Sequence, residues 1–134
     1  VYEVGARNDD VDPFKMIQRI STIEPDEKQR AAASGIEFSP DGNHLFVTNA
    51  GINTVIIYDV DKETGVLTPL FHCKTSGDYP KAVAVMPDNK HFIVLSHETD
   101  EIFIYNMNYE DCYFLQDSRP IKIEQPNCIF IHKL

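Results

Sequence analysis

The sequence predicts an all-β fold built from repeated four-stranded units, and three observations carry that prediction. Short runs rich in Val, Ile, Phe and Tyr alternate with turn residues along most of the 134 residues. That is the pattern of short strands bounded by tight turns. The chain also repeats itself: displaced by 47 residues, "GIEFSPDGNHLFVTNAGINTVIIYDVD" (35–61) falls on "AVAVMPDNKHFIVLSHETDEIFIYNMN" (82–108) without a gap. Pro40 meets Pro87, Asp41 meets Asp88, His44 meets His91, Val47 meets Val94 and Tyr58 meets Tyr105. Finally, no segment holds a helical period. Residues 24–33, "EPDEKQRAAA", have helix-forming composition but are short and lack a stop signal, so they read as a loop.

Taken in chain order, "VYEV" and "FKMIQRIST" (14–22) read as the two outer strands of an incomplete unit, residues 1–23. The first whole unit, 34–75, has strands at about 35–39, 44–49, 54–60 and 66–74. The second, 80–123, has them at about 82–86, 91–96, 101–107 and 113–123. Pro40-Asp41-Gly42-Asn43 is a tight turn with Gly supplying positive φ, and Pro87-Asp88-Asn89-Lys90 puts Asn, the next most tolerant residue, in that place. A third start appears in "PNCIFIHKL" (126–134), which matches "PKAVAVMP" (80–87) Pro on Pro.

Four-stranded units of 40-odd residues repeated head to tail are the signature of a β-propeller, each unit one blade. The first strand of a blade is innermost and is expected to be buried on both faces; "GIEFS", "AVAVM" and "CIFIH" suit that place. The chain thus reads as about two and a half blades plus a terminal inner strand, 126–134, of the kind that fastens a ring. Rings close with ~4–8 blades, so the missing blades are expected from the same longer chain or from other copies. A start without Met and with a strand already in progress leads to the same expectation, a chain that begins partway through a larger protein.

Composition narrows the function classes. The formal net charge of −9 argues against nucleic acid and against an anionic membrane surface as partners. A small anionic ligand stays compatible, since one local cation can outweigh a distant field. Cys73, Cys112 and Cys128 are odd in number and far apart, which suits free thiols in a reducing compartment and gives no zinc spacing. Cys73 and Cys128 fall in apolar runs and read as core thiols. No run approaches the ~18 apolar residues of a membrane span, and "VYEVGARNDD" is not a signal peptide. The acidic groups Asp9, Asp10 and Asp12, and Asp59, Asp61 and Glu63, read as solvated turns with no calcium-loop spacing.

"SPDGNHLFVTNAGINTVIIYDVDKETGVLTPL", then "TSGDYPKAVAVMPDNKHFIVLSHETDEIFIYNM", then the terminal "PNCIFIHKL" resemble the last blades of the lactonase family of seven-bladed propellers. That family includes bacterial 6-phosphogluconolactonase and proteins akin to carboxymuconate cyclase. The resemblance runs from about residue 34 to the end, and it is the order of the motifs that is specific. It implies a cytoplasmic protein of carbohydrate metabolism, in the pentose phosphate pathway, that hydrolyses a sugar lactone without a cofactor. The family pattern carries an Arg after the Asn of the second strand and another after the Pro of the inner strand. Here those positions are Ala50 and Lys81; lysine keeps the charge but loses the bidentate fork.

In a propeller, the loops between second and third strands open on the same face as the lead-in to each first strand, near the central channel. This gathers Asn49 to Asn53, Ser96 to Asp100, Ser34-Gly35 and Asp78 to Lys81 around one mouth. Lactone hydrolysis needs an activated water, donors for the developing oxyanion and a cation for any substrate anion. His97 and Glu98 are the candidate catalytic pair, histidine being the usual base near neutrality; the plainer reading is a solvated loop pair. Lys81 is the candidate anion holder, with a surface lysine as the plain alternative. Asn49, Asn53 and Asp78 complete the candidate substrate-binding set, although Asn in turns often serves the backbone alone. His44 and His91 recur just after the turns of the opposite face, which points to a structural task, and His72 falls on an outer strand. Two further functions fit the same fold: a propeller that binds a ligand or peptide without turnover, and an isomerase of the carboxymuconate-cyclase kind.

Overall fold

The structure, a computed structural model, describes residues 1–5, 13–27 and 30–132. The acidic run Asp9, Asp10 and Asp12 lies outside the described residues. Eleven strands follow in order: β1 (Tyr2–Val4), β2 (Phe14–Met16), β3 (Ala32–Phe38), β4 (His44–Ala50), β5 (Thr54–Val60), β6 (Leu67–Lys74), β7 (Pro80–Val85), β8 (His91–Ser96), β9 (Glu101–Asn108), β10 (Tyr113–Gln116) and β11 (Ile121–Lys122). They form an antiparallel pair β1-β2, a sheet β3-β4-β5-β6, and a sheet β7-β8-β9-β10 in which β11 also pairs with β9. The two large sheets are meanders of neighbouring strands, and the repeat seen in the sequence is a repeat of blades.

The turns explain why the meanders form where they do. Gly42 sits at φ 70° and Asn89 at φ 58° at equivalent turn positions. Each turn is closed the same way: Gly42 N–H donates to Ser39 O at 2.8 Å, and Asn89 N–H to Met86 O at 3.0 Å. The aspartates brace them. Asp41 accepts from Ser39 Oγ and Asn43 N, while Asp88 accepts from Lys90 N and His91 N. Asn89 Nδ2 reaches across to Asp41 Oδ2 at 2.7 Å, tying one blade's turn to the next. His91 Nδ1 lies 2.6 Å from Asp88 Oδ2. His44 Nδ1 comes within 3.0 Å of Asp59 Oδ1, out of line for a hydrogen bond, and its ring stacks on Tyr109. Both histidines are thus engaged with neighbours in or beside these turns.

The Lys90 N–H bond, aided by His91, holds the Asp88 carboxyl down to about 2, against an ordinary 3.8. A depressed carboxylate stabilises the fold above its unfolded pKa, and that contribution is lost as pH falls through the folded one. Stability is therefore expected to drop between about pH 4 and pH 2, and Asp88→Asn is expected to remove part of that drop. The carboxylate is solvent-screened, so the change is under about 1 kcal/mol. Urea titrations of both proteins at pH 6 and pH 2.5 check it; identical acid sensitivity would contradict it.

The core lies between the two large blades. Phe46, Val55 and Ile57 of the first meet Val83, Val85, Phe92, Val94, Phe103, Tyr105 and Met107 of the second. Gly35 makes this docking close: a Cβ there would stand 2.8 Å from Thr48 Oγ1 and 3.0 Å from both Ala82 Cα and Val83 N. On its other face the first blade buries Leu45, Val47, Ile56, Tyr58 and Leu67 against Val1 and Ile20. Three hydrogen bonds from two side chains fasten this face. Tyr58 Oη donates to Ser21 O at 2.6 Å, Gln18 Nε2 donates to Leu67 O, and Gln18 Oε1 accepts from Leu67 N.

Several elements differ from the sequence expectation, and each difference has a physical cause. β7 is the buried inner strand expected, but β3 is exposed except at Gly35, with Ile36 at 67% and Phe38 at 55%. The face it presents needs inner strands of a preceding blade, which the described residues do not include. In their place is an apolar cleft of about 840 Å³ bordered by Val1, Met16, Ile20, Ile36, Phe38 and Val47. The run 14–22 is strand only at Phe14–Met16; Ile17 and Gln18 then turn their N–H groups onto Val1 O. The strand expected at 113–123 is split into β10 and β11, because Ser118 to Pro120 leave the ladder after Asp117 N–H makes a last bond to Ile104 O, and proline can donate no bond to it. Residues 123–132 form no strand among the described residues, and Phe130 is 84% exposed. Cys128 is exposed there, so it is not a core thiol. Cys73, in β6, is half-buried, and burial, followed by the nearby Cys112, pushes its thiol up. His72 turns its side chain inward, 3.4 Å from Glu24.

Candidate functional site

The mouth is assembled by backbone bonds between the segment leading into β7 and the loop from β8 to β9. His97 N–H donates to Tyr79 O at 3.0 Å, and Glu98 N–H to Asp78 O at 3.3 Å. Asp78 N–H in turn approaches Thr99 Oγ1 at 3.4 Å. The two segments lie side by side because β7 and β8 are neighbours, with Pro80 opposite Ser96.

The first blade contributes Asn53. Its β4–β5 loop is only Gly51 to Asn53, with both of those residues at positive φ. Asn53 Nδ2 donates to Asp78 Oδ1 at 2.8 Å, and its Oδ1 accepts from Tyr79 N at 3.0 Å. Asn53 therefore bridges the blades across the mouth. Ser34 does so lower down, its hydroxyl bonding Pro80 O and lying 3.1 Å from Thr48 Oγ1.

Five of the six candidate residues come together here. Asn53 and Asp78 are bonded to each other. Lys81 is half-buried, its ammonium 5.6 Å above the Tyr79 ring centroid. His97 is half-buried and its ring is 6.3 Å from that of Tyr79. Glu98 is exposed beside it, and nothing pairs its carboxylate with the His97 ring among the described residues.

Asn49 is elsewhere. It is fully buried at the end of β4, where Nδ2 donates to Thr22 O at 2.7 Å and Oδ1 accepts from Thr22 Oγ1 at 2.9 Å. Its amide holds the N-terminal segment onto the first blade. Ala50, 2% exposed, pairs with Ala32 and offers no charge.

The geometry adds two residues that were not singled out from the sequence. Pro126 O lies 3.3 Å from His97 Nδ1. With Nδ1 donating to that carbonyl, Nε2 carries the lone pair and is the basic nitrogen. Tyr79 neighbours both Lys81 and His97 and holds φ 58°, a left-handed conformation rare for a bulky residue. Its place in "GDYP", within the Asp78 to Lys81 stretch, was the available signal. Its backbone angle was not readable.

What the arrangement offers is one imidazole whose Nε2 is the basic nitrogen, one ammonium, one exposed carboxylate and an aromatic ring near the first two. That set can activate a water and balance an oxyanion or a substrate anion.

A family model described as "Lactonase, 7-bladed beta-propeller" matches residues 3–131. The chain is similar to 6-phosphogluconolactonase of Bacillus subtilis, with 22% identity over 122 residues that cover 90% of this chain and 35% of that protein. It is similar to muconate cycloisomerase 1 of Cutaneotrichosporon cutaneum, with 29% identity over 104 residues, 75% of this chain and 25% of that protein. Among solved structures, a periplasmic gluconolactonase of Pseudomonas aeruginosa superposes with a TM-score of 0.80 at 17% identity, covering 89% of this chain and 33% of that one. The chain thus spans about a third of the length of these proteins, between 25% and 35%.

Proposed function

Because the chain belongs to the seven-bladed β-propeller lactonase family, we propose that its mouth is part of the active site of a sugar-lactone hydrolase. The observation that supports this most is the gathering of Lys81, His97, Glu98, Asn53 and Asp78 at one mouth through cross-blade and cross-loop hydrogen bonds. His97 Nε2 takes a proton from water as the oxygen attacks the lactone carbonyl carbon. The carbonyl electrons move onto oxygen, and the Lys81 ammonium balances that charge or the substrate's own anion. When the tetrahedral species collapses, the ring C–O bond breaks and His97 returns the proton to the leaving alkoxide. Asp78 and Asn53 hold the lead-in to β7 in register, and Glu98 extends the polar rim. The substrate is a small sugar lactone, in the sense of 6-phosphoglucono-δ-lactone, and the protein acts in the cytoplasm.

The experiment is lactone consumption by the ring-complete protein, corrected for spontaneous hydrolysis. His97→Ala is expected to lower kcat at least about 100-fold, and Lys81→Ala to act mainly on KM. Equal rates for His97→Ala and the parent would exclude His97 as the base.

A second reading has its own supporting observation. Ala50 is buried and uncharged, which leaves Lys81 as the single cation of the candidate set. A propeller that holds a ligand without turnover fits that feature, and saturable binding with no lactone loss above the spontaneous rate would favour it. The likeness to a muconate cycloisomerase keeps proton-transfer chemistry in the comparison, and assay with a muconolactone separates it.

A further inference from the structure

We propose that Tyr79 is a substrate-binding residue of this mouth, the aromatic floor on which the C–H face of a sugar ring lies. The inference rests on the lactone reading above. Tyr79 holds φ 58° immediately before Pro80, and a residue before proline is normally driven to extended backbone. Glycine would take the same backbone with less strain, so the turn itself does not need a tyrosine.

The strained backbone is held from three sides. Tyr79 N–H is shared between Asn53 Oδ1 at 3.0 Å and Asp78 Oδ1 at 2.9 Å, and its carbonyl accepts the His97 N–H. What this fixes in space is the ring. It remains 37% exposed although large and apolar, with a Lys81 ammonium 5.6 Å from its centroid and the His97 ring 6.3 Å away. Strain that is held in place by neighbouring groups at a polar mouth marks a functional position.

The ring's chemistry suits the occupant. An aromatic face is electron-rich, and sugar C–H bonds beside oxygen are polarised positive. A pyranose ring laid on Tyr79 would put an anionic substituent within reach of Lys81 and its ring atoms beside His97. Lys81 resting over the same ring is then the unliganded arrangement, a cation–π contact that a substrate anion displaces.

The test uses the ring-complete protein and two stable probes followed by NMR titration: glucose 6-phosphate, which has ring and anion, and inorganic phosphate, which has the anion alone. Tyr79→Gly is expected to raise the Tm by about 3 °C through relief of strain. It should weaken glucose 6-phosphate about tenfold without weakening phosphate, whose anion no longer has to displace the Lys81 contact with the ring. Tyr79→Phe should keep the parent affinity, and Lys81→Ala should weaken both probes. Parent-like glucose 6-phosphate binding by Tyr79→Gly would overturn this inference and leave the lactone reading standing. Failure of the parent to bind either probe would overturn both.

Discussion

Phe92→Ala is expected to cost about 3–5 kcal/mol. Phe92 is completely buried on β8 and is the hub of an aromatic cluster. Its ring lies 5.3 Å from Phe46 of the neighbouring blade, 5.0 Å from Tyr105 and 5.1 Å from Phe114 in an edge contact. Truncation removes the transfer energy of the ring and leaves a cavity that rigid β-strands on three sides cannot collapse into. It also removes one of the contacts that hold one blade on the other. A domain's net stability is only about 5–15 kcal/mol, so most of the folded population is at stake. Urea denaturation followed by tyrosine fluorescence measures the loss. A change under about 1 kcal/mol would mean that the blades do not share this core.

Gly35→Val is expected to cost about 3 kcal/mol, the upper end for overpacking, by a different route. No cavity forms; instead the side chain has nowhere to go. Two of the three atoms it would meet are backbone atoms of the next blade's inner strand, Ala82 Cα and Val83 N, both 3.0 Å from the position of a Cβ. Backbone in a sheet cannot swing aside as a side chain can, so the blades must part. Separation also loosens the bonds that cross the same junction, from Ser34 to Pro80 and from Asn53 to Asp78. A combined loss of stability and of ligand binding at the mouth is therefore expected. Chemical denaturation measures the first and probe titration the second; an unchanged protein would show that the inner strands are farther apart than described.

How much of this could be read beforehand follows from what kind of information each feature needs. The strand positions in residues 35–108 depend on alternation and turn chemistry, both local, and the turns at 40–43 and 87–90 carry their own signals. Gly42 and Asn89 stand at the positive φ that the tight-turn reading requires. The exposure of Ile36 and Phe38 could not be read, because burial of an inner strand is decided by the blade in front of it. For the same reason "CIFIH" has strand composition but no ladder: a strand exists only with a partner. The interruption at Ser118 to Pro120 had a visible signal in Pro120, which the long apolar run around it outweighed.

The candidate site divides in the same way. Topology alone brings the β4–β5 loop, the lead-in to β7 and the β8–β9 loop to one mouth, so Asn53, Asp78, Lys81, His97 and Glu98 could be named from chain order. Asn49 shows the limit. Its parity with Leu45 and Val47 puts all three on one face of β4, and that parity was readable. What covers the face, Thr22 from a segment 27 residues away, was not. Tyr79 escaped because its role depends on a backbone angle, and "GDYP" does not announce a left-handed tyrosine.

The account depends on two repeated blades packed so closely that their inner strands nearly touch, since only that contact brings Asn53 of the first blade onto Asp78 and Tyr79 of the second. Nuclear Overhauser contacts between the Gly35 α-protons and the backbone protons of Ala82 and Val83 measure it directly. Strong cross-peaks between these residues are predicted in the folded 134-residue chain. Their absence, with the strand contacts inside each sheet intact, would show two blades that do not dock, and the Asn53 bridge that holds Asp78 and Tyr79 at the mouth would not exist.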